Sequence, residues 1–476
     1  MVHFDMEDHK KCLKKLSASN LAAAISAVTG IEKKQAEEDV KRFIVPRLDF
    51  MFGGERELYF IFEDRYVETE WKDMISVHYI NTSYVVSNTV MRIHLFLENT
   101  VDAKCYGGCF TLRTVDDVRF MLSYIYPNWN KISFRQVDEA YVMSYKKKVH
   151  FKGIEIEFST YPLFVQDNAV ITCAEASMIS MTKYLHVKYD YRNIRILNLT
   201  KSYFTGKTKM FPSKGLNPTQ MMEIFNYHNI PVECRICYDE PEELQSYIDF
   251  CLESAIPVLL GVSIEDEKGI INKHVVQVIG HTLKTESKEK WYIIYDDSGY
   301  FIRSFGIDGF VTALSWDTLK SKIKKKTAEN KQVRKSFVIY PLHERVYISF
   351  EDIKDVFNDL KERLRVKEIL AEAGEKMETM RILLVDNTVL KDFLKNKIEL
   401  DTVFGDKEQM EKEINDINNR SLPHYLWYCE FQTKNINLIF FADPTFNNKT
   451  TKNIIVNHTP IISKNVLGLL EKISCK

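Results

Sequence analysis

The sequence predicts an α+β protein built on antiparallel sheets, and three observations predict it. From about 156 to 342, helical segments come first and strand segments follow, an order that favours an antiparallel sheet over alternating βαβ units. Ahead of this region, from Pro46 to about Glu155, β-branched and aromatic residues recur with partial alternation. Behind it, from about 346, a charged helical pattern leads into apolar strand-like runs.

Composition bounds the rest. A chain of 476 residues suggests two to four domains, and 45% hydrophobic with 12% aromatic content supports a sizeable core. A formal charge of −1 gives no electrostatic case for nucleic acid or an anionic membrane. The basic run "KIKKK" at 322–326 reads as a solvated face. The first twenty residues carry no apolar signal core, and the longest apolar run, about Ala255 to Val262, is too short to cross a bilayer. Nine irregularly spaced cysteines form no disulfide framework, so a reducing cytoplasmic compartment is expected.

The elements follow in order. Residues 1–45 read as a helical segment, with Ser19 or Asn20 as a cap and Gly30 as the break between two short helices. Residues 46–155 read as a β-rich flanking domain with strands at "RELYFIFEDRYVET", "GGCFTLRTV" and "GIEIEFS", interrupted by one helix at "VDDVRFMLSYIY". In the domain 156–345, helices are expected from Cys173, over "NPTQMMEIFNYH" and over "PEELQSYIDFCLES". Strands follow at "IPVLLGVS", "HVVQVIGH", "KWYIIYDD" and "SFVIYPL". Residues 346–476 read as an accessory α/β unit: a charged helix, then strands at "MRILLVD" and within "HYLWYCEFQTKNINLIFFADPT".

The residues with chemical promise converge on Cys173. Thr172-Cys173-Ala174-Glu175 is a T-x-x-E capping box, which makes Thr172 the N-cap and Cys173 the first helical residue. Ala174, Met178, Met181 and Leu185 then recur at helical spacing as a buried stripe. A helix N-terminus offers unpaired N–H groups and a positive dipole end, a setting that favours a thiolate. A buried structural cysteine is the competing account. A nucleophilic thiol also needs a base, and a third group to orient that base. His274 opens the strand "HVVQVIGH", and Asp296 and Asp297 end the next strand, so a hairpin brings an imidazole and a carboxylate together. Successive strand residues face opposite sides, so the sequence leaves open which aspartate does so. Gln166, seven residues before Cys173, could donate to an oxyanion beside the Cys173 backbone N–H.

This order of Gln, Cys-helix, His-strand and Asp-strand resembles the papain-like cysteine peptidases, in particular the bacterial double-glycine leader peptidases that process bacteriocins. The resemblance runs from about Phe164 to Tyr300 and rests on "CAEASMISMTKYLHVKYDYRNI", "GLNPTQMMEIFNYHNIPVECRIC", "ELQSYIDFCLESAIPVLLGV", "HVVQVIGH" and "YDDSG". It implies a papain-like core with Cys173 as nucleophile, His274 as general base and acid, and Gln166 as oxyanion donor. Asp297 would be the orienting carboxylate, since Asp297-Ser298 takes the place of the family's Asp-Pro, with Asp296 as the alternate. Thr172-Cys173-Ala174 stands where the family has Asp-Cys-Gly, and Gln166 lies one residue farther upstream than is usual.

Other candidates read as structural. Cys234 and Cys237 lie three apart on an extended segment and face opposite sides, which argues against a zinc or redox site, even with Cys105 and Cys109 added. His281 reads as a polar strand terminus, and Asp443-Pro444-Thr445 as a turn carboxylate. No cofactor or metal is expected. The reading is an intracellular thiol hydrolase, a cysteine peptidase acting on a peptide or protein amide through an acyl-enzyme. A protein partner on the flanking domains is an open option, as is the oligomeric state, and neither nucleic acid nor membrane is an expected partner. Two alternatives stand beside it: acyl transfer or deamidation on the same triad, and a catalytically silent binding module in a regulated, defence-type assembly.

Overall fold

The structure is a computed structural model. It describes residues 12–52, 57–83, 86–116, 119–132, 139–167, 171–203, 215–237, 241–265, 271–284, 290–307, 309–323, 336–363, 376–400, 411, 415, 418–419, 421–432, 437–445 and 454–455. Helices and strands are mixed, and every strand pairing among the described residues is antiparallel. Among those residues no helix is long and apolar enough to cross a membrane. The chain divides into two compact units, 1–245 with 257–341, and 246–256 with 342–476, the division falling within the helix Pro241–Glu253.

In the first unit, strands numbered in chain order form two sheets and a hairpin. The first sheet runs β1 (Lys14–Lys15), β2 (Tyr59–Tyr66), β3 (Val90–Phe96), β4 (Tyr106–Asp116), β5 (Arg119–Pro127) and β9 (Leu163–Phe164) in spatial order. Ahead of it, the helix Ala18–Thr29 is capped by Ser17, whose Oγ accepts from the Asn20 N–H at 3.1 Å, and it ends at Gly30 with φ +77°. The cap is therefore Ser17 and not Ser19 or Asn20, while the break at Gly30 lies where the sequence put it.

The helix expected over "VDDVRFMLSYIY" is instead the strand β5 where it is described. Leu122, Ser123, Tyr124, Ile125 and Tyr126 are all buried, so both faces of β5 are covered and the polar/apolar alternation that marks a half-exposed strand is missing. Its aromatic content, not its periodicity, was the informative signal.

The second sheet runs β10 (Val232–Cys237), β15 (Ser336–Pro341), β11 (Val258–Glu265), β12 (Ile271–Lys284), β13 (Trp291–Tyr295) and β14 (Val311–Ser315), with β6 (Glu139–Val142) added along the far half of β12. β7 (Tyr145–Phe151) and β8 (Ile154–Thr160) form a separate hairpin. Where β6 joins, β12 is bulged between Val278 and Gly280, and a Cβ at Gly280 would lie 2.2 Å from the Tyr141 carbonyl oxygen. The bulge lets one long strand pair with β13 on one side and β6 on the other.

The helix Cys173–Tyr189 packs on β12. It is buried continuously from Ala174 to Thr182, so the stripe of Ala174, Met178, Met181 and Leu185 is one side of a helix enclosed on all sides. Helices Pro218–Tyr227 and Pro241–Glu253 also form where the sequence placed them.

The second unit holds a four-stranded sheet of β16 (Thr379–Asp386), β17 (Tyr425–Gln432), β18 (Asn437–Ala442) and β19 (Ile454–Ile455). The helices Phe350–Arg363 and Asn387–Leu400 belong to the same unit. Leu390, Leu426, Tyr428, Ile439 and Phe441 form its core, and Phe250 stacks on Phe350 at 4.4 Å. The part of the charged helix expected beyond residue 363 lies outside the described residues, as do 324–326 of the "KIKKK" run.

Candidate active site

Cys173 begins its helix as the capping box required. Glu175 reaches back to Thr172, its carboxylate accepting the Thr172 N–H at 2.9 Å and the Thr172 hydroxyl at 3.2 Å. Helix geometry leaves the first backbone N–H groups without intrahelical partners, so donors cluster around the Cys173 side chain. That side chain is half-buried, whereas Cys105, Cys109, Cys237, Cys251 and Cys429 are buried. Cys173 is thus a thiol at a surface, not a core thiol.

The loop before the helix is fastened at several points. The Phe164 N–H donates to Ser180 Oγ at 2.9 Å, and the Phe164 carbonyl accepts from the Tyr295 hydroxyl. The Asp167 carboxylate accepts the Ile171 N–H at 2.8 Å and the Tyr79 hydroxyl at 2.9 Å. Gln166 lies half-buried between these anchors, two residues after Phe164. Through Tyr295, the residue before Asp296, the loop is tied to the strand that carries the candidate carboxylates.

Antiparallel pairing of β12 with β13 brings the start of one strand beside the end of the other. His274 Nε2 lies 2.7 Å from Asp296 Oδ1 and 3.8 Å from Asp297 Oδ1. Cys173 acts on His274 as well, its thiol favouring the charged imidazole. With Nε2 engaged by Asp296, Nδ1 is the ring nitrogen left for the thiol. The three groups therefore follow in the order Cys173, His274, Asp296.

The carboxylate bonded to His274 is Asp296, the alternate, rather than the favoured Asp297. Gln277 pairs with Tyr295, so one further step along the register sets Asp296 opposite Val276, on the face that carries His274. The bulge after Val278 sets that register, and nothing in the sequence announced it.

Asp296 is held by more than the histidine. Its Oδ1 accepts the Ser298 N–H at 3.2 Å and the Ser298 hydroxyl at 3.1 Å, and its Oδ2 accepts the N–H groups of Phe301 at 2.7 Å and Ile302 at 3.1 Å. It thus anchors the turn into the short helix Tyr300–Arg303 as well as the imidazole. Gly299 makes that turn at φ +67°, and a Cβ there would sit 2.6 Å from the Gly309 carbonyl oxygen.

The charges follow from this geometry. Burial opposes a positive charge on His274, but the hydrogen bonds and charges of Asp296 and Cys173 outweigh it and hold the imidazole well above its ordinary value. Burial opposes ionisation of Asp296, and His274 together with the backbone donors outweighs that, so its carboxyl is held below the usual range. Asp297 is fully buried, and neither of its oxygens has a hydrogen-bond partner among the described residues. Burial, reinforced by the Asp296 charge, pushes its carboxyl up to about 8. The two adjacent aspartates are thus pushed in opposite directions by their surroundings.

His274, Asp296 and Asp297 are also the group of three potential metal ligands found among the described residues, their candidate atoms lying within 4.8 Å of one another. Asp296 is already saturated by five donors, and its Oδ1 is spent on His274 Nε2. The set reads as a proton-handling group.

The remaining candidates are structural. Cys234 and Cys237 lie along β10, and burial pushes the Cys234 thiol up to about 11. Burial likewise raises Cys105 and Cys109. His281 Nδ1 pairs with the Thr282 carbonyl at 2.9 Å at the far end of β12. Asp443 accepts from the Thr445 N–H at 2.8 Å and hydroxyl at 2.6 Å, a turn carboxylate. The sequence matches no protein-family model and no curated protein at a significant level.

Proposed function

We propose that this protein is a thiol hydrolase with a papain-like core, a cysteine peptidase cleaving a peptide or protein amide through Cys173, His274 and Asp296. The observation that carries the reading is a buried imidazole 2.7 Å from a carboxylate held by four further donors, with a half-buried, helix-capped thiol acting on the same imidazole. An imidazolium beside the sulfur favours the thiolate, which attacks the amide carbonyl. The tetrahedral oxyanion would take the Cys173 backbone N–H and the Gln166 amide as donors. His274 gives its proton to the leaving amine, an acyl-enzyme forms, and water activated by His274 releases the acid.

In this reading Asp296 sets the ring orientation and supports the imidazolium without taking its proton. A cytoplasmic setting and a protein partner on the flanking regions belong to the same proposal. The test is mass spectrometry of the intact protein after brief incubation with peptide mixtures and acid quench. A covalent acyl adduct on Cys173, absent in Cys173→Ala and partitioning to water faster than to added amines, is expected. Partition mainly to amines would instead assign an acyltransferase, and no adduct with any substrate would favour a binding module.

A further inference from the structure

Beside the first sheet lies a polar cavity of about 200 Å³, distinct from the Cys173 site. Four cations line it from separate elements: Arg92 of β3, Lys147 of β7, Lys183 of the Cys173 helix, and Arg195 beyond that helix. Three of them are neutralised. Arg92 Nε lies 2.7 Å from Glu63, Lys183 Nζ lies 3.0 Å from Glu70, and Arg195 Nε lies 3.1 Å from Asp73.

Lys147 is different. It makes no ion pair among the described residues and rests over the Tyr126 ring at 4.3 Å. Burial is the main force lowering its pKa, and repulsion from Lys183 and Arg92 adds to it. The other carboxyl in the lining, Glu68, has both oxygens occupied: they accept the hydroxyls of Thr111 and Ser123, and burial raises its pKa. A second group points the same way. Tyr124 also lines the cavity and is 1% exposed, and its hydroxyl has no hydrogen-bond partner among the described residues. A half-buried cation with no ion pair, and a buried hydroxyl with no acceptor, among the described residues are both costly, and one bound oxyanion would satisfy both.

We propose that this cavity binds a small oxyanion, a phosphate group, through the Lys147 ammonium and the Tyr124 hydroxyl, with the ion-paired Lys183, Arg92 and Arg195 as further N–H donors around it. Donors drawn from four elements enclose a tetrahedral anion on several sides, more than a planar carboxylate can use. The proposal is independent of the chemistry assigned to Cys173.

The test is calorimetric titration of the full chain at neutral pH with inorganic phosphate and, separately, glycerol phosphate. Saturable one-to-one binding is expected, weakened roughly ten- to hundredfold in Lys147→Gln. Tyr124→Phe should weaken it less, and Lys148→Gln, an exposed neighbour paired with Glu155, should leave it unchanged. Binding of the ester but not of free phosphate would assign a phosphorylated metabolite, and the reverse would assign the free ion. Absence of saturable binding by both, or binding equal in wild type and Lys147→Gln, would overturn the proposal.

Discussion

Asp296 and Asp297 are chemically identical and adjacent, yet their surroundings give them different work. Asp296 has His274 and four further donors; Asp297 is buried, and its oxygens have no hydrogen-bond partner among the described residues. In Asp296→Asn the support for the imidazolium is removed, so alkylation of Cys173 at pH 6–7 should slow by an order of magnitude or more. A rate equal to wild type would contradict the assignment. For Asp297, the carboxyl is pushed from 3.8 up to about 8, so between these values the folded state holds a proton that the unfolded state releases. Stability contributed by this group is therefore lost as pH rises through that window, by up to about 1.4 kcal/mol per pH unit. Asp297→Asn should flatten this decline, read as urea midpoints from pH 5 to 8, and parallel curves would contradict it. The residue types of the site were legible in the sequence: a capped cysteine, a strand-end histidine and an aspartate pair. The choice between the aspartates was not, because the β12 bulge that decides it leaves no sequence mark beyond Gly280.

At the scale of elements, legibility depended on how each segment is buried. The Cys173 helix, with its capping box, and the hairpin β12–β13 formed where expected, because caps and β-branched runs are local signals. β5 was misread, since a strand covered on both faces loses its period. The turn at Gly299 joins this scale to the site, for it sets the Phe301 and Ile302 N–H groups on Asp296. In Gly299→Ala the side chain meets the Gly309 carbonyl and a left-handed backbone, a cost of about 1–3 kcal/mol. A lower thermal midpoint together with slower Cys173 alkylation is expected. Loss of stability with unchanged alkylation would show that the turn does not position Asp296.

For the whole molecule, composition gave the domain count only as a range, and the two units are interleaved in a way no local signal reports. Residues 246–256 belong with 342–476, where Phe250 stacks on Phe350 at 4.4 Å and meets Trp427 at 5.2 Å. A chain ending at Pro341 would leave Phe250 without those ring partners, a loss of about 2–3 kcal/mol of burial. Its thermal midpoint should fall below that of the full chain, and an unchanged midpoint would show that the second unit is dispensable to the first. The central claim is that Cys173 and His274 act as a pair, and it is tested most directly by the rate of Cys173 alkylation against pH, read by mass spectrometry in wild type and His274→Ala. The account predicts that wild-type Cys173 keeps reacting at acidic pH, where a free thiol of pKa about 8.5 is protonated. His274→Ala should lose that reactivity and follow an ordinary thiol profile. Identical, ordinary profiles in both proteins would contradict the thiol–imidazole pair and, with it, the hydrolase.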